Sequence, residues 1–286
     1  MLAGRITDAE ALCRQLLGRP HDPAVEAPAR MCLGRALLAQ GRERDGLTEM
    51  ERLAASPGLS DAEQGAAWAS ASFARLSLGD LEGAGTAARQ AISTASAAGD
   101  LLSAGQAMTS LALIRESQGQ LDAALQIADD AMRLTEESLN QNGSWYLHIA
   151  RANILVRLDR LEDARAALHA SQRTYEELGI RWPLPSIAVS LGLERFLAGE
   201  WDDALAELES GLDLAGEIWS VPGLMETLWF GTPVVPESLL VLMVTQRRAG
   251  RYPQEGWRGR RPSAGAGLLP WLFHPASGLA GSRGIG

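Results

Sequence analysis

Gly79-Asp80-Leu81-Glu82-Gly83-Ala84 is a six-residue phrase that the chain repeats. Residues 119–124 read GQLDAA, 159–164 read DRLEDA and 199–204 read GEWDDA, each phrase starting 40 residues after the one before. Looser copies start at Gly41 and Gly4, at spacings of 38 and 37 residues, and at Gly250, 51 residues after Gly199. A period in this range marks stacked helix-turn-helix units, none of which buries its apolar face alone.

Each phrase reads as a turn between two helices. Its leading Gly or Asp tolerates the left-handed backbone that ends a helix. The acids that follow suit the positive first turn of the next helix. Two residues into the phrase stand Ile6, Leu81, Leu121, Leu161, Trp201 and Tyr252, expected in the core, with Glu43 the exception. Small residues recur at fixed offsets. Ala9, Gly46, Ala84, Ala124, Ala164 and Ala204 follow the turn by five residues; Gly34, Ser72, Ala112, Ala152 and Gly192 precede it by seven. Ala91, Ala131, Ser171 and Gly211 follow it by twelve. Small side chains at constant places on both helices predict close axial approach, with Leu, Ile and Met filling the grooves.

Between turns the text is helical. Residues 121–137 and 201–217 set apolar residues three and four apart with acids opposite. Ser60 with Glu63, and Thr7 with Glu10, each fit a capping box. Breakers place linkers at Pro20 to Pro28, Pro57-Gly58, Asn140 to Gly143 and Pro183 to Pro185. No stretch alternates as a strand does.

The glycine turn, the apolar residue two later and the small-residue triplet resemble tetratricopeptide repeats, and Trp68 falls where that family often has a tryptophan. The period exceeds the usual 34 residues. This longer form is similar to the repeat region of LuxR-family, MalT-like bacterial regulators, in which an ATPase precedes the repeats and a helix-turn-helix domain follows. FLAGEWDDALAELE (196–209) is typical of that region. The resemblance implies an all-α solenoid of about six antiparallel pairs in a right-handed superhelix. It also implies an interaction or sensor role, transcriptional regulation being one setting and a stand-alone adaptor the other. Neither flanking domain is legible here, so ATP hydrolysis and DNA binding are carried over to no residue.

Residues 1–250 read as the repeat domain, with its first repeat truncated because Gly4 is already a turn. The expectation is that the chain is a piece of a longer reading frame, or a product with a misplaced start. Residues 251–286 read as a Gly/Pro/Arg-rich disordered tail, in preference to a basic arm for nucleic acid. The stretch before residue 247 carries a formal charge of −15 and the stretch from there +6. The acidic body should be repelled by nucleic acid and by anionic membranes.

The chain has 26 Arg and no Lys. A Walker A loop and a Schiff-base lysine are thereby excluded. Cys13 and Cys32, the only cysteines, lack metal-site spacing and read as small core residues in a reducing cytoplasm. His21, His148, His169 and His274 are scattered, and Asp129-Asp130 and Glu136-Glu137 read as solvated faces. No catalytic residue, metal site or cofactor is expected. No signal peptide opens the chain, and the apolar run Leu239 to Val244 is too short to span a bilayer.

In such a superhelix the first helix of each pair lines the concave groove. Phe73, Glu116, Asn153, Arg157 and Phe196 fall on that face by register; Trp145, Tyr146, Arg181 and Trp182 lie near the starts of first helices. Arg beside aromatics suits an anionic or aromatic ligand, so the expected partner is a protein segment or small effector in the groove. The competing reading is that the tryptophans wedge adjacent repeats together.

Overall fold

The computed structural model describes residues 6–20, 22–136, 145–181 and 183–218. Helix α1 spans Ile6–Leu17, α2 Pro23–Leu38, α3 Glu43–Ala54, α4 Asp61–Ser77, α5 Leu81–Ala97 and α6 Leu101–Ser117. Then come α7 Leu121–Glu136, α8 Trp145–Arg157, α9 Leu161–Glu177, α10 Leu184–Ala198 and α11 Trp201–Ile218. No strand occurs among the described residues. The turn phrases join α2 to α3, α4 to α5, α6 to α7, α8 to α9 and α10 to α11, giving five hairpins after α1 among the described residues. Within the stack, α2, α4, α6, α8 and α10 each also pack on the next of that set.

The turns form as their leading residues dictate. Gly41, Gly79, Gly119 and Gly199 adopt φ of 68°, 80°, 75° and 83°. Asp159, at φ 60°, is the one non-glycine with positive φ among the described residues. An aspartate bears this conformation at some cost. After each, the next backbone N–H reaches back five residues: Arg42 to Leu37, Asp80 to Arg75, Gln120 to Arg115, Arg160 to Leu155 and Glu200 to Arg195, at 2.9–3.0 Å. These bonds satisfy carbonyls that the helix end leaves open.

The small residues sit at the crossings. Ala84, Ala124, Ala164, Ala204, Ala112, Ala152 and Ser72 are buried. At the α4–α5 crossing, Ser72 Oγ donates to the Ala84 carbonyl across 3.0 Å. In the equivalent place a Cβ on Gly192 would stand 3.2 Å from the Ala204 carbonyl and 2.7 Å from Leu208 Cγ. Methionine fills the corresponding gap at Gly34, where Met50 Cε occupies the space a side chain would take. Trp68 packs against the clusters on both sides of α4, so it joins tiers.

Several expectations are corrected. Ile6, Leu121, Leu161 and Trp201 are half-buried and Leu81 is exposed. Each is the first residue of its helix, where the side chain is only partly covered; Leu161 and Trp201 still pack against the edge of the core cluster. Thr7 lies inside α1, because the phrase starts the helix at Ile6; Glu10 turns inward to Gln40 and Arg42 instead of capping. The capping box at Ser60 and Glu63 is present. The proline-rich stretch at 20–28 is largely helix. Asp22 accepts from Ala24 N at 2.9 Å, Pro23 opens α2 and Pro28 lies within it. Pro23 lacks a donor where none is needed, and Pro28 removes one bond near the start. The breakers at Asn140 to Gly143, the phrases at Gly4 and Gly250, the apolar run at 239–244 and the tail lie outside the described residues.

Candidate functional site

The residue six before each turn lies on the helices that touch tier to tier. This register carries Arg35, Phe73, Asn153 and Leu193, with Leu113 between. Phe73 and Arg35 are half-buried, whereas Asn153 is only 3% exposed. Glu116, on α6, is 1% exposed. Arg157 on α8 donates through Nη1 to the Glu116 carbonyl at 3.0 Å and to its Oε1 at 3.2 Å. Burial raises the Glu116 carboxyl above its ordinary range, and Arg157 offsets part of that. Glu116 and Arg157 thus tie α6 to α8, and an incoming ligand meets little of Glu116 or Asn153.

Phe196 stacks on Trp201 across the Gly199 turn, ring centroids 6.0 Å apart and planes 23° from parallel. Trp145 opens α8, and Arg181 is exposed between α9 and α10. Trp182 lies outside the described residues. The structure therefore joins Glu116 with Arg157, and sets Phe196 apart with Trp201.

Arg35 was passed over in the sequence, although it stands six residues before Gly41 in the register of Phe73 and Asn153. Among the described residues no carboxylate comes within salt-bridge distance of its guanidinium. Burial lowers its pKa, and Tyr146, Asp100 and Cys32 partly restore it. Burial likewise holds the Tyr146 hydroxyl well above its ordinary value; the Arg35 charge pulls it down, while Tyr175 and Asp100 push it up. Asp100 caps α6, accepting from Ser103 N at 3.1 Å. His148 is held below its ordinary value by burial and by Arg151, so it is neutral at pH 7. A cation from α2 and a protonated phenol from α8 thus share one electrostatic neighbourhood. The Tyr146 hydroxyl is itself buried, so of the two only the half-buried Arg35 presents surface to solvent.

Ion pairs cross the tier boundaries as well. Arg151 on α8 donates to Asp129 on α7 at 2.5 Å, so Asp129 is more than a solvated carboxylate. Arg165 on α9 grips Glu194 on α10 with two hydrogen bonds of 2.8 and 3.0 Å and reaches Glu200 at 2.8 Å. These carboxylates raise the Arg165 guanidinium above its usual range, against the opposing effect of burial. Among the described residues no three His, Cys, Asp or Glu side chains gather as a metal site, and no helix is long and apolar enough to cross a membrane.

No protein-family description and no curated protein matches the chain. Solved structures do. A signal-transduction ATPase with a tetratricopeptide repeat sensor, from Pyrococcus horikoshii, superposes with TM-score 0.56 at 10% identity, over 86% of this chain and 38% of its own. A thermophilic tetratricopeptide protein of Thermus thermophilus gives TM-score 0.52 at 21% identity, over 76% of this chain and 99% of its own. Aspartyl phosphate phosphatase F of Bacillus subtilis gives 0.50 at 13%, over 71% of this chain and 62% of its own. The fold is a tetratricopeptide-like helical repeat.

Proposed function

We propose that this chain is a non-catalytic scaffold that holds an acidic protein segment in a concave groove lined by α2, α4, α6, α8 and α10. The observation that carries the reading is Arg35: a half-buried cation on that face that makes no salt bridge to a carboxylate among the described residues, with the Asp100 carboxylate and the protonated Tyr146 in its electrostatic surroundings. The mutual contact of those five helices supports placing them on the inner curve. Phe73, Arg157, Phe196 and Arg181 complete the proposed lining, with Glu116 and Asn153 bracing it from beneath.

In this proposal residues 1–250 are the repeat body and 251–286 a tail outside it. The body serves as the sensor module of a larger signalling regulator resembling the LuxR-family, MalT-like proteins, in the cytoplasm. The likeness to an ATPase with a repeat sensor supports that setting. The Thermus thermophilus protein, matched over 99% of its length, favours a second reading as a self-standing adaptor. An ATPase and a helix-turn-helix unit encoded contiguously with this frame separates the two.

The groove itself is tested by fluorescence anisotropy with labelled peptides ending in Asp or Glu runs. Binding that weakens with salt and falls at least about tenfold in Arg35→Gln supports it, since a charge-assisted bond is worth about 1.5–3 kcal/mol. Equal binding by the variant, or preference for basic peptides, overturns it. Capture of a small anion but no peptide points to an effector site.

A further inference from the structure

Cys13 and Cys32 are the only two cysteines in the chain, and 19 positions separate them. The fold brings them to one interface. Cys13 is 8% exposed on α1 and joins a buried cluster with Leu33 and Leu37 of α2. Cys32, half-buried on α2, packs against the same cluster with Leu17. Both thiols are free. We propose that Cys13 and Cys32 form a reversible thiol–disulfide site that fastens α1 to α2 under oxidation.

The geometry gives such a link leverage. The cluster between α1 and α2 contains three buried residues, and the outer face of α1 leaves Leu12 65% exposed and Leu16 exposed. The remaining described ties of α1 are polar: Glu10 accepts from Gln40 and Arg42, each at 2.7 Å, and pairs with Arg14. In the reduced chain, the Leu33 and Leu37 face of α2 is covered only as long as that small contact holds. A cross-link makes the cover permanent until it is reduced. Forming the link requires no ligand on the inner helices, although Cys32 lies within electrostatic range of Arg35.

The oxidant is a low-molecular-weight disulfide. The more accessible Cys32 attacks it as thiolate, forming a mixed disulfide and expelling one small thiol. Cys13 then loses its proton and attacks Cys32 Sγ, expelling the second small thiol. Two protein thiols give up two electrons and two protons, and the small disulfide becomes two thiols. Burial, with the hydrogen bond and charge of Cys32, pushes the Cys13 thiol up to about 11. The second step therefore quickens as pH rises toward that value.

The test treats the full-length native chain with oxidised glutathione and maps it by tryptic mass spectrometry. The expected product joins Ile6–Arg14 to Met31–Arg35, two hydrogens lighter than the separate peptides, and is absent in Cys32→Ser. Amide exchange across α1 should slow at least about tenfold in the oxidised chain and recover with dithiothreitol. Cys13→Ser is a second control, but the wild-type map decides the matter even where that variant fails to fold. Glutathione adducts on each cysteine without the linked peptide overturn the proposal. So does a link that forms only in urea, or one that leaves α1 exchange unchanged.

Discussion

The residue six after one turn faces the residue five before the next, and this seam is built in two opposite ways. Around α7 and α8 it is apolar: Leu125 packs against the cluster of Ala112, Ala124, Ala128 and Ile154. One tier earlier, Ile114 Cδ1 lies 3.7 Å from where a Cβ on Gly85 would sit. Between α9 and α10 the same two registers carry Arg165 and Glu194, with Glu194 0% exposed. At α1 the residue six after the turn is Glu10, but Gln40 and Arg42 hold it instead of Ala36, five before the next turn. One backbone arrangement therefore accepts dispersion at one boundary and a buried ion pair at another. The difference lies in tolerance of change. Apolar seams lose stability in proportion to volume, whereas a buried ion pair fails when one partner goes, because the other charge stays out of water.

The largest effect should come from breaking the charged seam on one side. Arg165→Leu strands the Glu194 carboxylate and should cost about 3–5 kcal/mol in urea unfolding. Adding Glu194→Ile rebuilds the apolar version of the seam and should recover most of that loss. A double variant as weak as the single would mean that the two seams are not interchangeable. Ala124→Leu strikes the crossing beneath the apolar seam and should cost about 1–3 kcal/mol by overpacking, read as a lower melting temperature. Gly85→Ala should act oppositely. Its Cβ would meet Arg89 Nη1 at 3.4 Å and Ile114 Cδ1 at 3.7 Å, both ordinary contacts. A helix-interior Gly→Ala exchange without strain should add about 0.5–1 kcal/mol.

The smallest effect is a pH dependence at α1. Burial raises the Glu10 carboxyl, but the bonds from Gln40 and Arg42 and the charges of Arg14 and Arg42 outweigh it, leaving its pKa lowered. A carboxyl depressed on folding contributes stability above its unfolded pKa and loses it as pH falls through the folded value. Amide exchange in α1 should therefore accelerate below about pH 4, and Glu10→Gln should flatten that response. Glu116 has the reverse sign, since burial raises it. Its ionisation works against the α6–α8 packing as pH rises through the folded value, so Glu116→Gln should flatten that trend.

Much of the scaffold was legible because its signals are local. A left-handed residue after a helix calls for glycine or aspartate, and the phrases beginning at Gly41, Gly79, Gly119, Asp159 and Gly199 supply one each time. The crossings were legible through their small residues, since two axes approach closely only where side chains are short. The proline stretch misled because Pro23 and Pro28 read as breakers, although a helix start accepts proline. The proposed inner-face site is legible only in part. Register placed Phe73, Asn153 and Phe196, but no sequence signal distinguished the covered Glu116 and Asn153 from the more open Arg35.

By itself the chain determined its period, its turns and the alternation of close crossings with larger apolar fillers, because each depends on residues within one hairpin. Only the stacking of hairpins decided that Arg165 meets Glu194, that Arg35 shares its surroundings with Asp100 and Tyr146, and that Cys13 lies beside Cys32. Those encounters join residues far apart in the chain, and the rotation from one tier to the next sets which of them face each other. That rotation is a sum of small packing angles, and no short stretch of residues records it.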